Sequence, residues 1–314
     1  MTRALTILVV FCFVVHKLFS QIGINEWRAH LPYSKATFVT ETKDKIFCST
    51  SSALFSYHKL HHTIETITKI SGLSDVNISV IKYSRENNLL LVGYHDGNID
   101  LILDNRIYNL SDIKRKQISG NKTINNILFV GQYAYLSCSF GIVVLNLMKK
   151  EIKDTYFIGK DGSSLTVYEV AFDGTNLFAA TESGLLIANY DNPFLVDYSN
   201  WSKVTQIPGW NKKFNAITYL NGQVFANLTN TINNIDSVFI RDANTWSFFT
   251  HSGYENLALS AAGNKLLVIS RKNIKIFTSD GEFEREINTY SWADSNPNYA
   301  IRGKNFYILP GNNQ

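Results

Sequence analysis

Short apolar runs alternate with turn residues along almost the whole chain, and the alternation has a period. Turns between two such runs recur at Asp44, Asn87, Gln132, Thr175, Gly222, Gly263 and Lys304, with successive gaps of 43, 45, 43, 47, 41 and 41 residues. Before each turn stands a run such as Ile78-Ser79-Val80-Ile81-Lys82-Tyr83 or Asn125-Asn126-Ile127-Leu128-Phe129-Val130. After it stands a second, such as Leu89-Leu90-Leu91-Val92-Gly93-Tyr94 or Lys265-Leu266-Leu267-Val268-Ile269. Runs this short, bounded by Gly, Asn and Asp, predict strands. A third run follows a second turn occupied by Gly97, Gly141 or Gly184 at spacings of 44 and 43, where glycine supplies the positive φ of a tight hairpin. The fourth runs are more polar: 63–69, 106–110, 151–157, 201–206, 246–251 and 282–288.

Apolar inner strands grading to a polar outer strand, repeated at fixed period, are the signature of four-stranded sheets stacked around an axis. The pattern predicts an all-β, seven-bladed β-propeller with blades beginning near residues 34, 76, 123, 165, 213, 254 and 297, and with an incomplete last blade. That blade shows Tyr299-Ala300-Ile301 and Phe306-Tyr307-Ile308-Leu309 but no third or fourth run. Residues 24–31, around Trp27, look like the outer strands at Trp201 and Trp246 and are expected to pair onto it and close the ring. Backbone groups left unpaired there would otherwise carry a desolvation cost.

Composition changes this picture little. Of 314 residues 45% are hydrophobic and 18% charged, enough for a packed core, and the net charge of +4 is not concentrated as in a nucleic-acid binder. Arg3, the apolar run Ala4–Val15 and Ser20 read as a secretory signal peptide over 1–20, leaving 21–314 as the propeller. Its loss takes Arg3 and Lys17 with it and lowers the charge from +4 to +2. Cys48 and Cys138 lie in apolar strands and read as small core residues in place of a bridge.

Candidate chemistry is sparse. No patterned nucleophile, zinc, calcium or P-loop motif is present, so the chain is expected not to be an enzyme and to need no cofactor and no metal. Ser111-Asp112-Ile113-Lys114 matches SxxK only by a loose pattern, at the end of an outer strand and off any helix. His58, His61 and His62 read as a solvated loop, Asp96-Gly97 as turn chemistry, and Trp27, Trp201 and Trp246 as packing at sheet edges. Asp100, Asp104 and Asp173 show no calcium spacing. Glu169 and Arg302 lie near inner strands without an acid–base partner of the kind a glycosidase needs. Lys114, Arg115, Lys116 and Lys122 form the densest basic stretch and are the candidate ligand-binding residues, for an anionic glycan or lipid headgroup.

An ordered set of segments narrows the reading. Trp27-Arg28-Ala29-His30-Leu31-Pro32-Tyr33 is followed by Ile46–Thr50, Leu54–Tyr57, Ile70-Ser71-Gly72-Leu73-Ser74-Asp75 and Leu91–Tyr94 with Gly97–Ile102. Gly120-Asn121-Lys122, Phe140-Gly141-Ile142-Val143, Glu151–Tyr156 and Ile158-Gly159 come after. In this order they resemble the N-terminal propeller of PorZ-like proteins, the β-propeller component of the type IX secretion system of Bacteroidetes. The likeness is strongest from Trp27 to Gly159.

The resemblance implies an exported, non-enzymatic scaffold at the cell surface and outer membrane. Its partners there would be a sortase-like transpeptidase and outer-membrane barrel proteins, where secreted proteins are joined to anionic lipopolysaccharide. It implies no nucleic-acid partner. Family members carry a second propeller and a C-terminal sorting domain, and this chain reads as a truncated form without them, left in the periplasm if the truncation is real. The alternative is a glycan-sensing periplasmic propeller of a hybrid two-component regulator.

Overall fold

The structure, a computed structural model, describes residues 36–104, 106–251, 253–270, 272–288, 301–302 and 307–308. Every described residue lies in the unit spanning Pro32–Gln314. The signal peptide at 1–20, the closing strand at 24–31 with Trp27, most of the hairpin 299–309 and the Arg302 side chain fall outside the described residues.

Six antiparallel four-stranded sheets follow one another along the chain. Blade 1 comprises β1 (Ala36–Glu41), β2 (Lys45–Thr50), β3 (Ala53–His58) and β4 (Ile64–Thr68). Blade 2 comprises β5 (Ile78–Ser84), β6 (Leu89–Tyr94), β7 (Ile99–Leu103) and β8 (Arg106–Leu110). Blade 3 comprises β9 (Ile124–Val130), β10 (Tyr133–Cys138), β11 (Gly141–Asn146) and β12 (Glu151–Tyr156). Blade 4 comprises β13 (Val167–Phe172), β14 (Asn176–Thr181), β15 (Gly184–Asn189) and β16 (Ser202–Lys203). Blade 5 comprises β17 (Phe214–Leu220), β18 (Gln223–Leu228), β19 (Ser237–Asp242) and β20 (Thr245–His251). Blade 6 comprises β21 (Asn256–Ala262), β22 (Lys265–Ser270), β23 (Asn273–Thr278) and β24 (Phe283–Asn288). One helical turn, α1 (Asp112–Arg115), links blades 2 and 3.

The expectation of seven blades is corrected to six. Among the described residues the last repeat yields β25 (Ile301–Arg302) and β26 (Tyr307–Ile308), a ladder of two residue pairs whose first strand approaches β1 and β21. The period of 41 residues persists to Lys304, but spacing does not supply strands: the apolar run Phe306–Leu309 is shorter than the second strands elsewhere. The six first strands begin within two residues of the sequence-derived boundaries.

The second strands show why the sequence reads as continuous apolar runs. Successive side chains of a strand point to opposite faces, and here both faces are covered by a neighbouring sheet. Leu90 and Val92 of β6 pack with blade 1, whereas Leu89 and Leu91 pack with Ala134 and Leu136 of blade 3. In β11, Val143 and Leu145 face blade 2, and Ile142 and Val144 face blade 4. Outer strands face solvent on one side, and β24 is exposed at all but one of its positions. Trp201 and Trp246 are buried at this outer level: Trp201 donates its ring N–H to Leu195 O (3.0 Å) and Trp246 meets Phe178 edge-on. Cys48 and Cys138 are free, buried thiols, and burial pushes Cys48 up to about 12. Gly97, Gly141 and Gly184 all take positive φ, and at Gly141 a Cβ would stand 2.2 Å from Tyr156 O.

Candidate functional site: the channel mouth and its basic loop

Each inner strand carries one β-bulge at the same place. The register slips between Ala36 and Phe38, Ile78 and Val80, Val167 and Glu169, Phe214 and Ala216, and Asn256 and Ala258; in β9 it skips Asn125. A bulge leaves one residue out of the ladder and re-aims its side chain. Most of the residues so released, including Ser79, Asn125, Tyr168, Asn215 and Leu257, line a chamber of about 270 Å³ together with Glu169 and Phe38. A second chamber of about 190 Å³, toward the other ends of the strands, is lined by Glu41, Lys82, Tyr83, Arg85 and Ser260.

The inner strands are edge strands, and side chains of neighbouring blades occupy their free backbone groups. Ser79 Oγ donates to Ile124 O (2.7 Å), Asn125 Nδ2 to Val167 O (2.7 Å) and Asn215 Nδ2 to Asn256 O (2.7 Å). Lys82 Nζ donates to Ile127 O (2.6 Å), and Thr40 Oγ1 accepts from Tyr83 N (3.1 Å). Glu169, in blade 4, joins three blades: Oε1 accepts from Asn126 Nδ2 (2.8 Å) and Oε2 from Ile217 N (3.0 Å). Burial pushes its carboxyl up to about 7, against the pull of the Lys82 charge and of these two hydrogen bonds. Burial likewise holds the Lys82 amine below its ordinary value, only partly offset by Glu169.

The basic loop rises beside this chamber. His95, which lines the chamber, has its Nδ1 3.2 Å from Thr123 Oγ1, and Thr123 ends the loop that starts at Ser111. The SxxK residues do stand on a helical turn, α1, contrary to the reading that placed them off any helix; Ser111 is its N-cap and makes no side-chain cap bond. Ile113 is buried against Gly97. Lys114 bonds Asp75 and lies 2.7 Å from Asp96, so its charge is spent within the fold. Lys122 Nζ donates to Lys114 O (2.8 Å) and Lys116 O (2.7 Å), closing the turn. Arg115 and Lys116 remain exposed, Arg115 with only a 3.7 Å pairing to Asp112 on the same turn. Of the four sequence candidates, two therefore anchor the loop and two present charge to solvent.

Other sequence readings find their places. Asp96 Oδ1 accepts from Asn98 N (3.0 Å), as turn chemistry requires. Asp100 is fully buried and accepts from Ser74 N (2.8 Å), Tyr94 Oη (2.7 Å) and Asn109 Nδ2 (3.0 Å). His58 and His61 stack at 4.4 Å while His62 bonds the Tyr57 hydroxyl. Among the described residues no group of three His, Cys, Asp or Glu side chains could hold a metal.

The geometry agrees with the comparisons to known proteins. The family profile described as the type IX secretion system PorZ N-terminal β-propeller domain matches residues 46–202, half of the chain. The solved structure of PorZ, an essential bacterial surface component of the type IX secretion system of Porphyromonas gingivalis, superposes with a TM-score of 0.76 at 23% identity. That superposition covers 90% of this chain and 36% of PorZ, so the chain spans about a third of that protein's length. A chain of the mitotic checkpoint complex superposes at 0.63 with 9% identity, covering 88% of this chain and 92% of its own, a likeness of fold alone. No curated protein matches. The profile match over residues 46–202 favours the secretion-system reading over a two-component sensor: the chain belongs to the PorZ N-terminal β-propeller family of the type IX secretion system.

Proposed function

We propose that this propeller is a non-enzymatic scaffold that helps attach secreted proteins to anionic lipopolysaccharide at the cell surface. Residues 1–20 direct export and the propeller occupies 21–314. Its partners are a sortase-like transpeptidase and outer-membrane barrel proteins of the secretion system. The observation that supports an anionic ligand is the anchored loop between blades 2 and 3. Ile113, Lys114 and Lys122 fix it, Arg115 and Lys116 are exposed on it, and its Thr123 end lines the channel mouth. A fixed pair of exposed cations meets a polyanion without the entropic cost of ordering a mobile loop, and each contributes about 1 kcal/mol near an anionic surface.

The test is binding of the purified chain to anionic lipopolysaccharide at two salt concentrations. Binding that weakens with salt, and falls about tenfold or more in the double variant R115E/K116E, is expected. No binding by the unaltered chain, or equal binding by the variant, overturns the proposal.

A further inference from the structure

The chamber at the channel mouth has two unlike walls. On one, contributed by β5, β9, β13 and β17, the side chains spend donors on the backbone of the next blade. Ser79, Asn125 and Asn215 each give one to a carbonyl. Asn215 Oδ1 accepts from Asn227 Nδ2 (2.7 Å), which leaves Ser79 Oγ and Asn125 Oδ1 as acceptors, and Asn125 Oδ1 has no partner among the described residues. Beside them stands the Glu169 carboxylate, held by two neutral donors and by no ion pair among the described residues. The other wall is apolar: Phe38 from β1 and Leu257 and Ala258 from β21.

An acceptor wall with one carboxylate selects a donor-rich cation. A bare divalent ion is poorly served, because calcium gathers six to eight oxygens, commonly from several carboxylates. A primary ammonium needs only three acceptors, and the apolar wall gives a short alkyl chain somewhere to lie. The geometry points to the channel mouth as a binding site for a small alkylammonium ligand, its nitrogen on Glu169 and Asn125 and its carbon chain against Phe38 and Leu257.

The neighbouring charges set limits on the site. Lys82 lines the second chamber and donates to Ile127 O, but its charge also acts on Glu169 and competes with a ligand cation there, and Lys213 lies over the Tyr168 ring at 4.5 Å. His95 lines the chamber as well, its Nδ1 3.2 Å from Thr123 Oγ1. Protonation of Glu169, whose carboxyl burial pushes up to about 7, removes the charge that meets the ammonium, so the site works on the alkaline side.

The test titrates the full chain with propylammonium chloride, with propan-1-ol and calcium chloride as controls. Saturable binding of propylammonium at pH 8 is expected, weakened about tenfold at pH 5.5 and about tenfold by E169Q. In the unaltered chain, the carboxyl-carbon NMR titration of Glu169 should move down by about one pH unit when the probe stands at tenfold its Kd, since each tenfold of preferential binding is one unit. That shift is read without any substitution, so it decides the matter even if E169Q fails to fold. Four results overturn the proposal: no saturable binding at pH 8, equal binding of propan-1-ol, calcium bound in place of the amine, or an unmoved Glu169 midpoint.

Discussion

Asp75 and Asp236 are both buried carboxylates that tie a loop to an adjacent blade, and they are held by different chemistry. Asp75 sits between blades 1 and 2 with the Lys114 ammonium on Oδ2, Lys69 at 3.7 Å and Val76 N on Oδ1. Asp236 sits between blades 5 and 6 and, among the described residues, receives only neutral donors: Asn227 Nδ2 (2.9 Å), Asn256 N (2.9 Å) and Asn230 N (2.8 Å). Burial pushes both carboxyls up. At Asp75 hydrogen bonds from Lys114 and Val76 overcome it and the value falls to about 2. At Asp236 the amides do not overcome it, and the value stays raised. Two joints of similar geometry thus respond to pH with opposite sign. Asp75 contributes stability that is present above the ordinary carboxylate value and lost as pH falls toward 2. Asp236 favours the fold most below that ordinary value and loses that contribution as pH rises through its own raised one.

The contrast is sharpest when the amide-held joint is broken. Asp236→Ala strips the acceptor from three donors at once, two of them on buried residues, and an orphaned buried donor costs about 1–3 kcal/mol. A loss of about 3 kcal/mol or more in urea unfolding is expected; a loss under 1 kcal/mol would mean that water reaches the network. Glu169 extends the comparison to a third carboxylate without an ion pair among the described residues. With a folded value of about 7 against an ordinary 4.5, raising the pH from 5 to 8 should lower stability by about 2–3 kcal/mol through this group. Glu169→Gln should flatten that slope, and an unchanged slope would sink the assignment.

At the cation-held joint the effects are smaller, because Lys114 keeps 42% of its side chain exposed. Lys114→Met should cost about 1–2 kcal/mol at pH 7. It should also reduce the loss of stability expected of the unaltered chain between pH 4 and 2, measured by thermal melts across that range. Gly97→Ala reaches the same joint indirectly. Its φ is +83° and a Cβ would stand 2.5 Å from Ile113 Cγ2, displacing the turn that carries Lys114. A cost of about 1 kcal/mol is expected, with the acid response weakened; a full acid response would show Lys114 still docked.

Much of the blade plan was legible because it is local. The turn at Asn87 and the run Leu89–Tyr94 declare β6 by themselves, and the polar run Arg106–Leu110 matches β8 residue for residue. The likeness of Trp201 to Trp246 announced a shared packing position, and both are buried. The number of four-stranded blades was not legible, because a period counts repeats without showing that each supplies four strands. The site was mostly hidden. Glu169 was noticeable as a charge near an inner strand, but its partners Asn126 and Ile217 lie 43 and 48 residues away and leave no local trace. Asp236, in a run of Asn and Ile, looked like any loop residue. Lys114 counted as a free charge in the sequence because nothing there links it to Asp75, 39 residues earlier.

Among the described residues, the bonds in which a side chain of one blade covers the inner edge of another run one way. In each, the side chain belongs to the earlier blade and the backbone group to the later one: Thr40 to Tyr83, Ser79 to Ile124, Lys82 to Ile127, Asn125 to Val167, Glu169 to Ile217 and Asn215 to Asn256. A chain made from its N-terminus therefore has each docking group in place before the strand that needs it is synthesised. Every new blade finds its open edge met by the one before, some 43 residues after the last such event. Exposed strand edges invite intermolecular pairing while a long β-protein is still incomplete. The direction of these six bonds matches the order in which a chain made from its N-terminus would need its strand edges covered.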